Sequence, residues 1–534
     1  MSRVVLIAAL AACMLPGCGA LRYADYKLPA VRFDRAMNGP LPSADSEAAR
    51  NAVARWQQMD EAQRAQYPTP YHAYVNTPAP GTFEGGYTVA AAFSGGGTRG
   101  VVFGAECVRL LRELGPIHIE RAERSEAIDL FSELDYISGV STGAVPAALL
   151  ALSYGEHCPE AMRLEHWPDC LNANVSGVGW RHLAARPDKL VRNLAFDINT
   201  RSALAGAIAA TFFEGKAGYP ASGLTFGDLP QRPVLIIGAT IINDPGVPLM
   251  ETRLPYRYAL DERPQYPWQT RLQSFETFHT DPMSYPLGMA SCDSSSFPGN
   301  VRSGLLAVHP EQDWVYEGLD TAAMERMRAA RAQLGYEGVY SIKDGGLVDN
   351  RGAYCIHRLY ERISKDRTDG ARPLLIGLDA GFLEVRSPKP GDRLLKKSWM
   401  DELQASMRTS WQTGQDGYNQ LVEAAAAQRT YDYVRFRLTS WVRFMASEAS
   451  VDNSPEGAHL LTLCHEEPLV GTPETLLHVV RNIGTKFSRL TPQELAATKL
   501  CARFAVWLER DALLTWVRDN NGGAKASWTQ TPKN

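Results

Sequence analysis

The sequence predicts a layered α/β domain, and two features of its pattern indicate this fold class. Short apolar runs with the character of buried strands alternate along the chain with segments that carry apolar residues at helical spacing. At two places a strand-like run passes into a helix-like segment through a glycine-rich turn. The chain has 534 residues, of which 45% are hydrophobic and 21% charged, a composition typical of a globular protein with a large core.

The first strand–turn–helix unit lies at 87–114. The run Tyr87–Phe93 is apolar almost throughout, as expected of a strand that is buried on both faces, and it ends in the glycines of Ser94–Gly100. Val101–Leu114 then carries apolar residues every three or four positions, which predicts an amphipathic helix. A Gly-Pro pair follows and ends that helix.

The second unit follows the same plan. Leu134–Ile137 predicts a short strand, Gly139–Gly143 predicts a tight turn, and Ala144–Tyr154 predicts a helix rich in Ala and Leu. Further apolar runs predict strands at 234–240, 339–342 and 374–380. Strands that alternate with helices in this way favour a layered α/β domain.

The chain divides into four predicted parts: 1–18 as a signal segment, 19–84 as a tether and lead-in, 85–390 as the α/β domain with insertions, and 391–534 as a mostly helical C-terminal extension with a disordered tail. The lead-in contains one predicted helix around Ser46–Gln63. Residues 155–230 are predicted to be a largely irregular, partly helical insertion, and 245–285 are predicted to be long surface loops. A strand is expected near Tyr433–Leu438, and the polar tail begins at Asn520.

The N-terminus has the pattern of an export signal. One basic residue, Arg3, precedes an apolar run that is too short to span a bilayer. Leu15-Pro16-Gly17-Cys18 resembles a bacterial lipobox, which implies cleavage before Cys18 and acylation of that residue. An ordinary secretory signal and an uncleaved anchor are the alternatives. Gly19 follows where an Asp would favour retention, so by analogy with lipoprotein sorting we expect the outer membrane of a bacterial cell envelope, facing the periplasm or the surface.

An exported chain meets an oxidising compartment, so its cysteines can form disulfides. Cys158 and Cys170 lie in one polar segment and are the first predicted pair, with Cys464 and Cys501 as a second. A zinc site is the alternative for the first segment, with four candidate ligands: His157, Cys158, His166 and Cys170. Their spacing is not that of a known zinc ribbon, so the sequence favours the absence of a metal.

The glycine turn Ser94–Gly100 is the first of three candidate chemical motifs. Its glycines let the backbone approach a bound group closely, and N–H groups at a helix start are unpaired and lie at the positive end of the dipole. The turn therefore suits the oxyanion of acyl transfer, or a phosphate. GGGTRG also satisfies the dinucleotide-binding pattern G-x-G-x-x-G, but the acidic residue expected about 20 positions later has no clear strand end to occupy.

The second motif is the G-x-S-x-G sequence centred on Ser141. It lies between a predicted strand and a predicted helix, which is the context of a nucleophile elbow. Gly139 and Gly143 remove side chains that would clash in a strained turn. The helix N-terminus favours negative charge on the serine. Taken alone, the motif is equally consistent with a glycine-rich turn of purely structural role.

The third motif is Asp344-Gly345-Gly346, which follows a predicted strand. An ordinary Asp-Gly turn is the alternative. A serine nucleophile needs a base, and in α/β-hydrolases the base is a histidine that follows the acid in the chain. The histidines after Asp344 lie in no clear strand-end turn: His357, His459, His465 and His478. The sequence therefore favours an acid that acts directly on Ser141.

GGGTRG, GVSTG and DGG, in this order, resemble the motifs of the patatin-like phospholipase family over roughly 87–380. The stretch Ala290–Gly299 is similar to the small-residue helix of that family. The resemblance implies a three-layer α/β/α fold and a Ser–Asp dyad without histidine. No cofactor and no metal are expected. Where family members often continue to Asn-x-Pro, this chain has Asn350-Arg351-Gly352. The implied roles are Ser141 as nucleophile, Asp344 as general base, Gly95, Gly96 and Gly97 as the oxyanion hole with Arg99 steadying it, and Gly139, Gly143, Gly345 and Gly346 as motif support.

These observations favour a membrane-anchored serine acyl hydrolase that cleaves the carboxylic esters of lipids, of phospholipase A or lysophospholipase type. A non-lipid esterase or acyltransferase on the same dyad, and an inactive scaffold that serves as an adaptor lipoprotein, are the alternatives. The expected partners are an ester substrate and the membrane. Nucleic acid is not expected, because the net charge is −4 and the chain has no long basic stretch.

Overall fold

The computed structural model of the protein describes most of the chain between residues 38 and 530. The described ranges are 38–79, 87–120, 125–155, 166–176, 178, 200–214, 219–220, 223–243, 247–255, 272–296, 303–334, 338–366, 371–381, 419–448, 450–484 and 488–530. The predicted signal segment with Cys18 lies outside these ranges. Cys158 also lies outside them, and with it the predicted Cys158–Cys170 disulfide and the alternative zinc site.

The first half of the described chain contains α1 (Glu47–Gln58), α2 (Glu61–Gln66), α3 (Pro70–Val75), β1 (Val89–Phe93), α4 (Thr98–Glu113), β2 (Ile117–Glu120), β3 (Ser125–Ile128), β4 (Leu134–Val140), α5 (Ala144–Leu152), α6 (Trp167–Ser176), α7 (Thr200–Ile208), β5 (Val234–Ile241) and β6 (Val247–Thr252). The second half contains β7 (Gln273–Ser274), α8 (Leu287–Ser294), β8 (Gly304–Ala307), α9 (Thr321–Ala332), β9 (Val339–Asp344), α10 (Tyr354–Asp366), β10 (Leu374–Asp379), β11 (Asp432–Arg437), β12 (Met445–Ser447), β13 (Ser450–Val451), α11 (Pro455–Glu466), α12 (Pro473–Asn482), α13 (Pro492–Asn520) and β14 (Lys525–Trp528).

A nine-stranded sheet organises the described residues, with the main order β11-β10-β1-β4-β5-β6-β7. The strands β11, β10, β1, β4 and β5 are parallel to one another, so their carboxyl ends share one edge of the sheet. β6 runs antiparallel to β5, and β9 also pairs antiparallel with β5 while β8 pairs with β9. Ligand sites of such sheets lie at the carboxyl edge.

Helices cover both faces of this sheet. Alternate residues of β1 point to opposite faces, so that Val89, Ala91 and Phe93 belong to one hydrophobic core while Ala90 and Ala92 belong to the other. The first core includes residues of α4, α5 and α13, and the second includes residues of α1, α3, α9 and α10. The predicted α/β fold with a central, mostly parallel sheet between helical layers is therefore confirmed.

The C-terminal part of the described chain is built into the same sheet. β11 pairs in parallel with β10 along its whole length, which confirms the strand predicted near Tyr433–Leu438. α13 is 29 residues long and packs along α4. None of the helices in the described ranges combines the length and the apolar character needed to cross a membrane.

Two of the predicted irregular regions are ordered parts of the fold. Within 245–285, which was predicted to be surface loops, β6 is buried throughout and belongs to the central sheet. Within the tail predicted to be disordered, β14 pairs antiparallel with β2 in a small three-stranded sheet. The tail prediction fails because β14 pairs with β2, which lies far earlier in the chain. The loop prediction fails because β6 forms a hairpin with the neighbouring β5, which the polar residues further along that segment concealed. Residues 531–534 lie outside the described ranges.

The second predicted disulfide is wrong. Cys464 and Cys501 are free thiols, and both are buried where α11 and α13 pack together. Burial raises the pKa of the Cys464 thiol to about 12, so this sulfur stays protonated and packs as a small apolar group.

We expect Gly377→Ala to destabilise the protein, because the ring of Tyr433 on β11 packs against β10 at Gly377 and fills the space that a side chain there would need. A Cβ at Gly377 would lie 2.7 Å from that ring, and overpacking of this kind costs about 1–3 kcal/mol. Gly206→Ala is the matched control, since Gly206 lies within α7 with no atom close to its Cβ position. This control should raise the stability by about 0.5–1 kcal/mol. Thermal unfolding measures both, and equal melting temperatures for the two variants would contradict the strand pairing of β10 with β11.

Candidate active site

Ser141 lies in a strained turn at the carboxyl end of β4. Its φ angle is +53°, a left-handed conformation that residues other than glycine rarely adopt. The turn Ser141–Gly143 leads directly into α5, so the serine lies at the N-terminus of that helix. The two flanking glycines are required by space, because a Cβ at Gly143 would lie 2.5 Å from the carbonyl oxygen of Ser94, and one at Gly139 would lie 2.6 Å from Cβ of Ala147.

Asp344 reaches Ser141 because β9 continues the sheet beyond the end of β4. β5 pairs with β4 as far as Gly238 and with β9 from Ala239 onward, and Asp344 is the residue opposite Ala239. The hydroxyl of Ser141 donates a hydrogen bond to Oδ2 of Asp344 over 2.9 Å. The sequence-predicted nucleophile and base therefore lie in direct contact, although 203 positions separate them.

The environment of Asp344 suits a base that works near neutral pH. The carboxyl group is buried, with 5% of the residue exposed, and this burial raises its pKa to about 6. The N–H of Gly346 donates to Oδ1 over 2.8 Å, and this bond, the bond from Ser141 and the nearby Lys343 all oppose the rise in pKa. The carboxylate therefore predominates at pH 7, and it is more basic than an exposed aspartate.

The glycine loop between β1 and α4 lies at the next strand end. Gly96 and Gly97 both have positive φ angles, +133° and +67°, and Gly97 caps α4. The hydroxyl of Thr142 donates to the carbonyl oxygen of Gly97 over 2.9 Å, which holds the loop against the serine turn. Two helix N-termini, those of α4 and α5, therefore meet beside Ser141.

The structure changes one assignment in the predicted oxyanion hole. The N–H of Gly95 donates to the backbone carbonyl of Asn350 over 3.0 Å, so this donor is already engaged. Within the described ranges, the N–H groups of Gly96 and Gly97 donate to no backbone carbonyl or side chain. These two groups are the available donors of the loop.

Arg99 connects the glycine loop to the C-terminal helices. Its guanidinium is buried and donates to the carbonyl oxygen of Ile483, the residue that ends α12, over 3.1 Å. A Cβ at Gly96 would lie 3.5 Å from Nη2 of Arg99, so the side chain runs directly behind the loop. Burial lowers the pKa of Arg99 to about 10, and the group stays charged at neutral pH. This geometry agrees with the supporting role that the resemblance implies.

Two residues that the sequence analysis did not assign to the site contact it. The hydroxyl of Ser294, at the end of α8, accepts a hydrogen bond from the N–H of Ser141 over 2.7 Å and donates to the carbonyl of Gly238. The side chain of Asn350 lies between Gly95 and Gly346, close to where a Cβ of either would be. The Ala290–Gly299 stretch and the Asn350-Arg351-Gly352 departure were the available signals, but neither indicated a side-chain contact.

Gly345 and the four histidines considered as partners of the serine contact groups other than the side chain of Ser141. A Cβ at Gly345 would collide with the carbonyl of Gly238. The histidines weighed for a triad contact other groups: His357 lies by the hydroxyl of Tyr431, His459 stacks on Trp507, His478 lies beside Asn482, and His465 is in the last turn of α11. Within the described ranges, no cluster of His, Cys, Asp and Glu could hold a metal ion.

Comparison with solved structures finds a likeness to human GIVD cytosolic phospholipase A2, at 11% sequence identity and a TM-score of 0.40 over 91% of this chain. A second structure of that phospholipase, in complex with methyl gamma-linolenyl fluorophosphonate inhibitor and terbium chloride, gives 12% identity and a TM-score of 0.35 over 90% of this chain. The alignments cover 66% and 65% of those chains, slightly less than two thirds of their length. No protein-family model and no curated protein sequence matches this chain.

We expect Asp344→Asn to stabilise the protein at pH 7.5. The folded pKa of about 6 lies above the unfolded value of about 3.9, so the stabilising form is the protonated one, and its contribution is lost as pH rises through 6. At pH 7.5 the charged carboxylate costs up to about 3 kcal/mol, which the amide removes. Thermal unfolding should show a higher melting temperature for the variant at pH 7.5 and a difference that closes towards pH 4.

Asp379→Asn is the control of opposite sign. Burial raises the pKa of Asp379, but Arg435 and Arg351 outweigh it and hold this pKa below its usual range. Nε of Arg435 lies 2.8 Å from Oδ2 of Asp379. This variant should therefore melt at a lower temperature at pH 7.5. A loss of stability in Asp344→Asn at this pH would contradict a buried carboxylate whose pKa is raised, as described above.

Proposed function

We propose that the protein is a serine acyl hydrolase of the patatin-like phospholipase type that cleaves carboxylic esters through Ser141 and Asp344. The observation that carries this proposal is the 2.9 Å hydrogen bond between the two side chains, made from a strained strand–helix turn beside two helix N-termini. A hydroxyl held in this way has a base for its proton and positive backbone ends for the charge that forms.

The mechanism requires no group beyond these residues and water. Oγ of Ser141 attacks the ester carbonyl carbon while Asp344 takes the hydroxyl proton. The N–H groups of Gly96 and Gly97 donate to the oxyanion of the tetrahedral intermediate, and the loss of one such donor typically costs about 10²–10³ in rate. The intermediate collapses to the acyl-enzyme, and the leaving alkoxide takes the proton from Asp344. Water then repeats the sequence and releases the acid.

Esters suit this pair better than amides. A carboxylate with a pKa of about 6 is a weak base for a serine hydroxyl, and its conjugate acid must then protonate the leaving group. An alkoxide leaves more readily than an amide anion under these conditions. The resemblance to patatin-like phospholipases and the proposed acyl anchor at Cys18, which places the protein at the outer membrane, together favour the acyl esters of lipids as substrates.

Two alternatives remain distinguishable. A non-lipid esterase or acyltransferase on the same pair would prefer short acyl chains, so a series of esters of increasing chain length separates it from a lipid hydrolase. An inactive scaffold that serves as an adaptor would show no turnover with any ester. The intact Ser141–Asp344 hydrogen bond favours an enzyme over this second alternative.

We expect a serine-directed fluorophosphonate to label the full-length protein at Ser141. Ser141→Ala should lose all labelling, because the nucleophile is gone while the fold is kept. Ser153→Ala is the matched control and should label as the wild type does, since this hydroxyl donates only to the carbonyl of Leu150 in the same helix turn. In-gel fluorescence measures the labelling, and circular dichroism checks the fold of each variant.

Labelling that persists in Ser141→Ala would show that another serine is the nucleophile. A folded wild type that is neither labelled nor active on any ester would contradict the proposed hydrolase and favour the scaffold.

A further inference from the structure

β9 and the end of β5 form an arm that extends outward from the active site. β9 runs antiparallel to β5 and ends at Asp344, in contact with Ser141. It begins five residues earlier, at Val339, so its outer end lies about 17 Å from the base along the strand. We call Ile242 and Val339, the residues at this outer end, the rim.

The rim exposes two large apolar side chains. Val339 is 48% exposed and Ile242 is 41% exposed, whereas Asp344 at the inner end of the arm is 5% exposed. Within the described ranges, the other large apolar side chains with comparable exposure are Leu461 and Leu469, near α11. Contiguous exposed apolar surface marks contacts with a membrane or a partner, and the two rim residues lie on adjoining segments at the outer end of the catalytic arm.

Hydrogen bonds hold the two rim residues on neighbouring segments. The N–H of Ile242 donates to the carbonyl of Ser341 over 2.9 Å. The side-chain oxygen of Asn243 accepts from the N–H of Ser341, and its amide lies 3.5 Å from the carbonyl oxygen of Val339. These bonds hold Ile242, which directly follows β5, against β9, whose first residue is Val339.

The N-terminal segment meets the body of the protein at the same place. The side chain of Asn38 donates to the carbonyl of Ala307 over 2.8 Å and accepts from its N–H over 2.9 Å. Ala307 is the strand partner of Val339. The chain that carries the proposed acyl anchor thus joins the described body one strand away from the rim, and the 20 residues from Cys18 to Asn38 can span at most about 70 Å.

We propose that the rim of Ile242 and Val339 docks into the surface of the lipid bilayer and so presents the Ser141 site to its substrate. This inference rests on the proposed lipid acyl hydrolase function. A lipid surface is the occupant that these observations favour. The exposed apolar side chains of the rim lie one strand away from the point where the anchored segment joins the described body. The anchor keeps the enzyme at the membrane, and the rim orients it there.

The docking itself is tested without catalysis, in full-length Ser141→Ala protein reconstituted into phosphatidylcholine–phosphatidylglycerol vesicles. We expect the added fluorescence of Val339→Trp to be quenched by lipids brominated in their acyl chains. Ser527→Trp is the control, since Ser527 is exposed on β14, which pairs with β2 at the end of α4 remote from the catalytic edge. Quenching should be at least several times weaker there.

The consequence for catalysis is tested in active protein. Ile242→Ser with Val339→Ser should slow the hydrolysis of vesicle phospholipid about 10- to 100-fold, the range expected when two apolar side chains no longer enter lipid. Hydrolysis of a soluble short-chain ester should stay within about twofold of the wild type. Leu461→Ser with Leu469→Ser removes similarly exposed side chains near α11 and should leave both rates unchanged.

The outcomes distinguish a failure of the docking proposal from a failure of the proposed hydrolase function. Equal quenching of Val339→Trp and Ser527→Trp would overturn the proposal that the rim docks into the bilayer. Equal slowing by the rim variant and the Leu461/Leu469 variant would overturn it as well. A loss of soluble-ester hydrolysis in the rim variant would show that these residues support the active site itself, and this result would also overturn the docking proposal. A wild type inactive on every ester would overturn the proposed hydrolase, while the quenching experiment would still decide whether the rim enters lipid.

Discussion

The placement of one buried carboxylate beside one strained serine is the constraint on which the rest of this structure depends. β4 and β9 meet end to end along β5, and this arrangement brings Asp344 to Ser141. The contact is buried, and this burial raises the pKa of the carboxyl group to about 6 and makes it a better base. The same burial costs stability at neutral pH, which the surrounding cores must offset.

The sequence predicted the parts of this arrangement that depend on local pattern. Buried strands such as Val89–Phe93 are apolar runs, and turns such as Gly139–Gly143 need glycine because neighbouring atoms leave no room for a Cβ. The order of the three glycine motifs then indicated a serine and an aspartate as partners. The α/β fold and the contact between Ser141 and Asp344 therefore followed from the sequence together with its family resemblance.

The sequence did not predict the features that depend on distant partners. The N–H of Gly95 is engaged by Asn350, and the N–H of Ser141 is bonded to Ser294, which is 153 positions away. β14 is a strand because it pairs with β2, which lies far earlier in the chain. Cys464 and Cys501 are free and buried in the core, an environment that their spacing in the sequence does not reveal.

The most direct test of the central claim is the pH dependence of the second-order rate at which the fluorophosphonate modifies Ser141. If Asp344 is the base, this rate rises with pH through a single midpoint near 6 and is then level to about pH 8, because only the carboxylate can take the proton. The profile should be unchanged in His357→Gln. A midpoint near 7 that disappears in that variant, or a rate that stays level down to pH 4, would contradict a base formed by Asp344.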